Sequence, residues 1–343
     1  MSRESRLKLI SEIEEARGSR LLVAVWGDRV NLPTVIAPDA HDIFFQHLEK
    51  IGKVKKLDVL LYTAGGHTLA AWGLANLVRE YCDQLGVLIP HRALSSGTLL
   101  TLAANEIIMS RLGQLSPIDP SVTSPHGPRV QLPNQPGQSQ VLPVSVEDAI
   151  GFIDLATKAV GLKEERSILS VFDRLSSQVH PLALGAVYRS REQIGALATR
   201  LLSFHLKSAK QKKERDKIVA SLTRELGSHD YLIGRTEAKE FLKLNVIDTP
   251  SQLEKKILAL FEEYSSLLSL RDPYNADGFL GDDQMKTGNF NRAIVETTAL
   301  THLFRTIRVV QRLQMMQVPG VPGPTAAIQE RSTFESWIAD SNV

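Results

Sequence analysis

The stretch "LLYTAGGHTLAAWGLANLVREYCDQLGVLIPHRALSSGTLLTLAANEIIM", residues 60–109, holds two apolar segments that each end in small or polar residues. Gly65 and Gly66 follow the first segment, and Ser95 and Ser96 follow the second. Each apolar segment has the length of a buried strand, and an apolar stretch with helical spacing follows each pair. Strands that alternate with helices at this spacing predict βαβ units and a mostly parallel sheet, hence an α/β fold.

The same alternation continues on the N-terminal side of this stretch. "LLVAVW", residues 21–26, predicts a buried strand, and residues 39–50 have the apolar spacing of a helix. In open parallel sheets, ligands bind at the edge where the carboxyl ends of the strands meet the helix N-termini. We therefore expect the glycine pair and the serine pair to face one crevice.

Composition bounds the class of protein. The chain has 343 residues, of which 43% are apolar, enough for one large domain or two smaller ones. A net charge of +2 provides no global field for nucleic acid or anionic lipid. The single cysteine, Cys82, cannot form an internal disulfide, and no apolar run approaches the roughly 20 residues that span a bilayer. The N-terminus is charged and does not resemble a signal segment. We expect a soluble, cytoplasmic protein without a membrane span or nucleic-acid partner.

The two special pairs together outline a catalytic site. Glycines allow backbone N–H groups to approach a ligand closely, and a helix N-terminus adds partial positive charge. A serine at the start of the next helix adds a hydroxyl beside these donors, which is the outline of an oxyanion hole with a nucleophile. Glycine pairs alone usually form turns, and serine pairs usually cap helices. The signal is therefore their conjunction at the ends of two apolar segments.

Three motifs resemble those of the Clp-fold serine peptidases, and most of all the serine dehydrogenase proteinase family: "LYTAGG", "ALSSGTLLTLAANEIIM" and "LGQLSPIDP". The resemblance covers roughly residues 20–120 and, more weakly, 220–250. It implies a Clp/crotonase-like ββα-superhelix core of parallel strands and helices. It also implies that Ser95 is the nucleophile, and that the N–H groups of Ser96 and of Gly65 or Gly66 form the oxyanion hole. Ser96 stands where the family usually has alanine.

The general base is less clear, because the histidine that follows the nucleophile in Clp peptidases is missing from "QLSPIDP". "SHDYLIGRTEAKEFLKLNVID", residues 228–248, resembles the Clp segment that carries the triad aspartate. By this resemblance Asp230 takes the place of that aspartate, and the adjacent His229 is the first candidate for the base.

Other candidates for the base remain open. His126, which lies shortly after the acidic candidate Asp119, is one alternative. A lysine such as Lys158 or Lys163 is another, since it could form a Ser–Lys dyad as in the related signal peptide peptidases.

The resemblance and the composition divide the chain into six segments. They are residues 1–120, the first part of the core; 121–144, a Pro-rich loop; 145–220, a helical insertion; 221–270, the closing part of the core; 271–318, a C-terminal extension; and 319–343, a disordered tail. We expect the extension to be α-helical, although "RAIVETTALTHLFRTIRVVQRLQ", residues 292–314, fits a hairpin as well as a helix. Within the insertion, residues 207–217 are basic, and the interleaved Glu214 and Asp216 favour a solvated helix face.

These observations predict a serine endopeptidase that acts on protein or peptide substrates through an acyl-enzyme. No motif for a metal, nucleotide or other cofactor is present, so none is expected. The family resemblance further implies a homo-oligomer. Two alternatives stay open: a catalytically inactive scaffold that binds a partner, and a crotonase-like acyl-CoA enzyme, whose fold also provides backbone oxyanion donors.

Overall fold

The helices and strands follow the predicted alternation through the first part of the chain. A computed structural model describes residues 3–118, 121–122, 125–127, 129–131, 139–141, 144–226, 228, 230–314 and 326–340. Within these residues the helices are α1 (Arg3–Arg17), α2 (Ala40–Ile51), α3 (Thr68–Glu80), α4 (Ser96–Thr101), α5 (Val146–Asp154), α6 (Glu165–Gln178), α7 (Pro181–Leu202), α8 (Ala209–Ala220), α9 (Arg235–Glu240), α10 (Ser251–Leu267) and α11 (Ala276–Leu280). The strands are β1 (Arg20–Trp26), β2 (Val54–Tyr62), β3 (Cys82–Ile89), β4 (Arg92–Ala93), β5 (Glu106–Met109), β6 (Gln114–Leu115), β7 (Ser121–Val122), β8 (Arg129–Gln131), β9 (Ser139–Val141), β10 (Val144–Ser145), β11 (Ile233–Gly234), β12 (Met285–Glu296), β13 (Thr301–Gln314) and β14 (Ala326–Ala339).

A seven-stranded sheet forms the centre, with the strand order β14-β13-β12-β1-β2-β3-β5. β1, β2, β3 and β5 are parallel, as expected, while β12 pairs with β1 in the antiparallel direction. The parallel strands therefore end at one common edge. The predicted α/β class with parallel strands is confirmed.

The sheet is covered on both faces, which explains why its central strands are almost wholly apolar. In β1, Leu22, Ala24 and Trp26 belong to one core, and the alternate residues Leu21, Val23 and Val25 belong to the other. The first core includes residues of α2, α3, α4 and α7, and the second includes residues of α1 and α10. Because successive side chains of a strand point to opposite faces, a strand between two helical layers needs apolar residues at every position.

A small three-stranded sheet lies at the end of the main sheet where the parallel strands finish. Its order is β11-β6-β4, with β4 and β6 parallel and β11 antiparallel to β6. The Thr63 N–H donates to the carbonyl of Arg92, and the Leu94 N–H donates to the carbonyl of Thr63. These bonds tie the chain just before Gly65 to the chain just before Ser95.

The expected helical C-terminal extension is helical only at α11, and this part of the prediction is corrected. β12 and β13 form a long antiparallel hairpin, which confirms the alternative that was open for residues 292–314. The expected disordered tail is also wrong over Ala326–Ala339, because β14 pairs along the whole length of β13. The β-branched residues of this region favour a strand, and pairing with β1 gives the hairpin a sheet to extend.

A buried carboxylate anchors this hairpin to the helices on one face of the sheet. Glu296, at the end of β12, is fully buried and accepts two hydrogen bonds from the Arg6 guanidinium, at 2.8 and 3.0 Å. Tyr264 Oη and Thr301 Oγ1 also donate to this carboxylate, at 2.7 and 2.8 Å. One side chain thus joins α1, α10, β12 and β13.

The segment expected to be a helical insertion contains α5, α6, α7 and α8. α7 packs against α3 and α4, so the insertion lies on the same face of the sheet as the helix that follows Ser95. The described parts of the Pro-rich segment form two short antiparallel pairs, β7 with β10 and β8 with β9. Among the helices that the structure describes, none is both long and apolar enough to cross a bilayer.

Candidate active site

Ser95 has an unusual backbone conformation. It lies immediately before α4, with φ 50° and ψ −113°, and its side chain makes no capping hydrogen bond to the helix. Positive φ is uncommon for residues other than glycine, and this combination lies outside the left-handed helical region as well. Such a conformation persists only where the surroundings hold it, and residues of this kind cluster at functional sites.

The surroundings of Ser95 hold its backbone from two sides. The Ser95 N–H donates to Ser116 Oγ at 2.7 Å, and Ser116 Oγ in turn donates to the carbonyl of Pro117. On the other side, the Gly97 N–H donates to the carbonyl of Leu94. Ser116 belongs to "LGQLSPIDP", so the motif that carries the family resemblance also fixes the serine, a role that sequence reasoning missed.

The glycine pair lies directly against Ser95. A Cβ on Gly65, which has φ 121°, would lie 3.0 Å from Ser95 Cβ and 3.5 Å from Ser95 Oγ. A Cβ on Gly66, which has φ 151°, would lie 2.3 Å from the carbonyl oxygen of Ile36. Both positions therefore require glycine: Gly65 because a side chain would meet Ser95, and Gly66 because a side chain would meet the backbone of Ile36.

The backbone N–H groups around Ser95 divide into engaged and free donors. The Gly65 N–H donates to Thr63 Oγ1 at 2.9 Å. Within the described part of the chain, neither the Gly66 N–H nor the Ser96 N–H has a hydrogen-bond acceptor. Gly66 is exposed, and Ser96 begins α4, where the first N–H groups of a helix have no intrahelical acceptor, so both donors are available to a ligand. They are the kind of donors that stabilise an oxyanion.

The two serines have different environments. Ser95 is partly exposed, and its hydroxyl makes no hydrogen bond with any residue that the structure describes. Ser96 is 3% exposed, and its Oγ is buried without a partner among the described residues. A partly exposed hydroxyl can meet a substrate, while a buried one cannot do so without movement.

β11, which follows the candidate base His229 in the chain, belongs to the small sheet beside Ser116. β11 pairs with β6 so that Ile233 lies opposite Leu115, the residue before Ser116. Asp230 precedes β11 and is exposed, and its N–H donates to Ser228 Oγ at 3.3 Å. His229 lies outside the described residues, and so does Asp119.

Two of the three alternative bases contact other residues in this structure. His126 stacks on His180, at the start of α7, with ring centroids 4.5 Å apart. Lys158 forms an exposed ion pair with Asp154 at 2.7 Å, and Lys163 is exposed after the same helical segment. The structure therefore brings the turn at Gly65 and Gly66 to Ser95 and the adjacent Ser96.

A polar cluster at the same sheet edge was not found from the sequence. Tyr62 Oη donates to Asp28 Oδ1 at 2.6 Å, and the Arg92 guanidinium donates to Asp28 Oδ2 at 2.9 Å. Burial, and then the hydrogen bond to Asp28, raises the pKa of Tyr62 far above its usual value. Burial and the nearby Arg92 lower the pKa of His91. Asp28 follows β1, Tyr62 ends β2, and His91 and Arg92 follow β3, so only the sheet topology shows that they are neighbours.

The lone cysteine lies away from this edge. Cys82 begins β3, and burial raises the pKa of its thiol to about 11. Because the thiolate is the reactive form of cysteine, this thiol is a poor nucleophile at neutral pH.

Comparison with known proteins agrees with the predicted family. Residues 2–178, just over half of the chain, match the family described as ClpP-like SDH-type serine proteinase. Two uncharacterized proteins of Methanocaldococcus jannaschii are similar in sequence. The first, MJ1495, is 31% identical over 168 residues, which are 47% of this chain and 56% of that protein. The second, MJ0137, is 30% identical over 125 residues, which are 34% of this chain and 43% of that protein. The chain thus spans about half the length of the curated relatives it matches.

Solved structures that match this chain include ClpP1 from Listeria monocytogenes, at 14% identity and a TM-score of 0.34 over 70% of this chain and 98% of that chain. Another is a variant of a membrane-bound stomatin-specific protease, at 14% identity and a TM-score of 0.31 over 65% of this chain and 79% of that chain.

Proposed function

Because the chain belongs to the ClpP-like SDH-type serine proteinases, we propose that it is a serine peptidase that cleaves peptide bonds through an acyl-enzyme on Ser95. The observation that carries this proposal is the strained backbone of Ser95, held against the turn at Gly65 and Gly66. A serine on a strained turn at a helix start exposes its hydroxyl to a substrate, and the neighbouring backbone supplies donors at fixed positions.

The oxyanion hole is formed by the N–H groups of Gly66 and Ser96. Both N–H groups lack an acceptor among the described residues, whereas the Gly65 N–H is already bonded to Thr63 Oγ1. Gly65 instead provides the room that Ser95 needs. Removal of one oxyanion donor typically costs about 2.7 to 4 kcal/mol in the transition state.

His229 is the general base and Asp230 its orienting acid. The pairing of β11 with β6 supports this assignment, because it brings the chain after Asp230 beside the residues that hold the Ser95 backbone. His229 takes the proton from Ser95 Oγ as the oxygen attacks the peptide carbonyl carbon, and then gives it to the departing amine. Water, deprotonated by the same imidazole, attacks the acyl carbon and releases the second product with the serine restored.

Labelling with a fluorophosphonate tests the nucleophile, since the reagent phosphonylates an activated serine. We expect one adduct per chain in the parent protein and in Ser96→Ala, and none in Ser95→Ala. Ser96→Ala is the matched control because it removes the adjacent hydroxyl and keeps the backbone N–H. Equal labelling of the parent protein and Ser95→Ala would refute the assignment.

The base is tested separately in His229→Ala. A general base typically contributes 10²- to 10⁴-fold, so we expect labelling to slow by about that factor. The controls are His126→Ala and Lys158→Ala, which should label at the parent rate. Loss of labelling in either control instead of His229→Ala would transfer the role of base to that residue and leave Ser95 as the nucleophile.

One observation favours a second candidate function, an inactive scaffold. Among the described residues, no side chain forms a hydrogen bond with Ser95 Oγ. A folded protein that resists labelling and still binds unfolded polypeptides would identify the scaffold. A crotonase-like enzyme is disfavoured because Ser95 stands where that class uses carboxylates, and hydrolysis of an acyl-CoA would be its test. We also expect a cytoplasmic homo-oligomer, which sedimentation and fractionation would check.

A further inference from the structure

A groove lined by lysines lies between α8 and the chain that follows α9. It consists of two adjoining cavities of about 540 and about 330 Å³, which share Glu214, Ile218 and Lys243 in their walls. We call it the basic groove. Its larger cavity is also lined by Thr101, at the end of α4 away from Ser95, and by Asn105 and Ile107 around the start of β5.

Five lysines line the basic groove, and only Lys239 forms an ion pair with a described residue, Asp248. Lys210, Lys213 and Lys217 occur at positions i, i+3 and i+7 of α8, so they share one face over about 10 Å. Lys243 lines the opposite wall. All four are exposed, and none of these four forms an ion pair with a residue that the structure describes. Glu214 contributes one opposing carboxylate.

Lys243, in the wall opposite α8, has a backbone conformation that usually favours glycine. Lys243 has φ 57°, in the left-handed region, where a residue with a side chain costs roughly 1 to 2 kcal/mol relative to glycine. Glycine is the usual residue at such a position after a helix. A lysine there places a fourth cation in the groove at the expense of stability, which is typical of functional positions.

The basic groove also offers apolar surface. Ile218 and Leu242 are buried beneath it, and Phe241 stands at its edge with 80% of its surface exposed. An isolated exposed phenylalanine beside four lysines suits a ligand that combines carboxylates with an apolar side chain. Polyanions such as nucleic acids are disfavoured, because they are usually bound by extended basic surfaces with several stacking aromatic rings, and this chain has a net charge of only +2.

We propose that the basic groove binds an acidic segment of the protein substrate, at a site separate from the Ser95 pocket, and so tethers that substrate to the enzyme. The 10 Å lysine stripe corresponds to about four residues of extended chain, so the segment carries two or three carboxylates within about four residues, beside an apolar side chain. This inference rests on the proposed peptidase function, because it names the substrate feature that the same enzyme recognises.

Binding is measured on the Ser95→Ala protein, so that the result does not depend on catalysis. The probe is a short fluorescein-labelled peptide with three glutamates and two leucines, compared by anisotropy with its glutamine counterpart. The test variant is Lys213→Glu with Lys217→Glu. The control is Lys53→Glu with Lys55→Glu, which changes the net charge equally at two exposed lysines outside the groove.

We expect the glutamate peptide to bind at least about tenfold more weakly to the groove variant than to the control, and to lose affinity as salt rises from about 0.05 to about 0.3 M. Phe241→Ser should weaken binding severalfold. Equal affinity of both double variants would overturn the proposal, and so would tighter groove-dependent binding of a single-stranded oligonucleotide than of the peptide. If the peptide binds in the basic groove but the parent protein, with Ser95 intact, does not cleave it, the binding site is supported and only the peptidase function is contradicted.

Discussion

Gly65→Ala should slow the reaction of Ser95 in addition to lowering the free energy of unfolding. The added Cβ would lie 3.0 Å from Ser95 Cβ, whereas packed carbon atoms lie roughly 3.5 to 4.0 Å apart. The two carbons must therefore separate by about 0.5 to 1 Å. Because a misplacement of about 1 Å can cost about 100-fold in rate, we expect fluorophosphonate labelling to slow between about 10- and 100-fold.

Gly18→Ala separates this displacement from the general cost of a side chain at positive φ. Gly18 has φ 58°, and an added Cβ there would meet nothing within 4 Å. Both substitutions should lower the free energy of unfolding by about 1 to 3 kcal/mol through backbone strain. Only Gly65→Ala should also slow labelling.

The assay is the second-order rate constant of labelling, followed by intact mass, with urea unfolding measured on the same samples. A Gly65→Ala protein that labels at the parent rate would refute the reasoning, because Ser95 would then tolerate a shift that the geometry forbids. Slower labelling of Gly18→Ala by the same factor would refute it as well, since strain alone would account for the loss.

Three further predictions concern stability. Glu296→Gln should lower the free energy of unfolding, measured in urea, by about 3 kcal/mol or more, because it leaves the buried Arg6 cation without a carboxylate. A loss below about 1 kcal/mol would show that the Arg6–Glu296 pair does not anchor the hairpin. Burial, and then the adjacent His302, lowers the pKa of His47 to about 3. In the unfolded chain the imidazole titrates near pH 6.5. The stability that comes from burying the neutral His47 ring is therefore complete above pH 6.5 and is lost progressively as the pH falls toward 3. His47→Gln should flatten the stability profile in this range, and an unchanged profile would contradict the assignment. Ser96→Ala should unfold at an equal or higher urea concentration, because it removes a buried hydroxyl without a partner; a loss of 2 kcal/mol would indicate a bond that the structure lacks.

The sequence is sufficient to predict the parallel half of the fold because its strands are apolar at nearly every position. Strands covered on both faces give continuous apolar runs, and β1 and β2 have this pattern. The C-terminal strands are harder to predict, because the exposed side chains of β14 give no continuous apolar signal. Their pairing depends on β13, which only the tertiary structure provides.

Some residues of the candidate site could be predicted from short sequence patterns, and others could not. Gly65, Gly66 and Ser96 were predictable because each follows a strand or begins a helix at a common sheet edge. Ser116 was not, because its bond to the Ser95 N–H depends on a turn that brings distant residues together. The proposed base depends on a still longer connection, through β11, so sequence spacing alone left His229 beside several alternatives.

The most direct test of the account is a crystal structure of the fluorophosphonate adduct. The account predicts phosphorus bonded to Ser95 Oγ, with the phosphonyl oxygen within about 2.7 to 3.1 Å of both the Gly66 and the Ser96 nitrogen. An adduct on another residue, or a phosphonyl oxygen that contacts neither nitrogen, would contradict it.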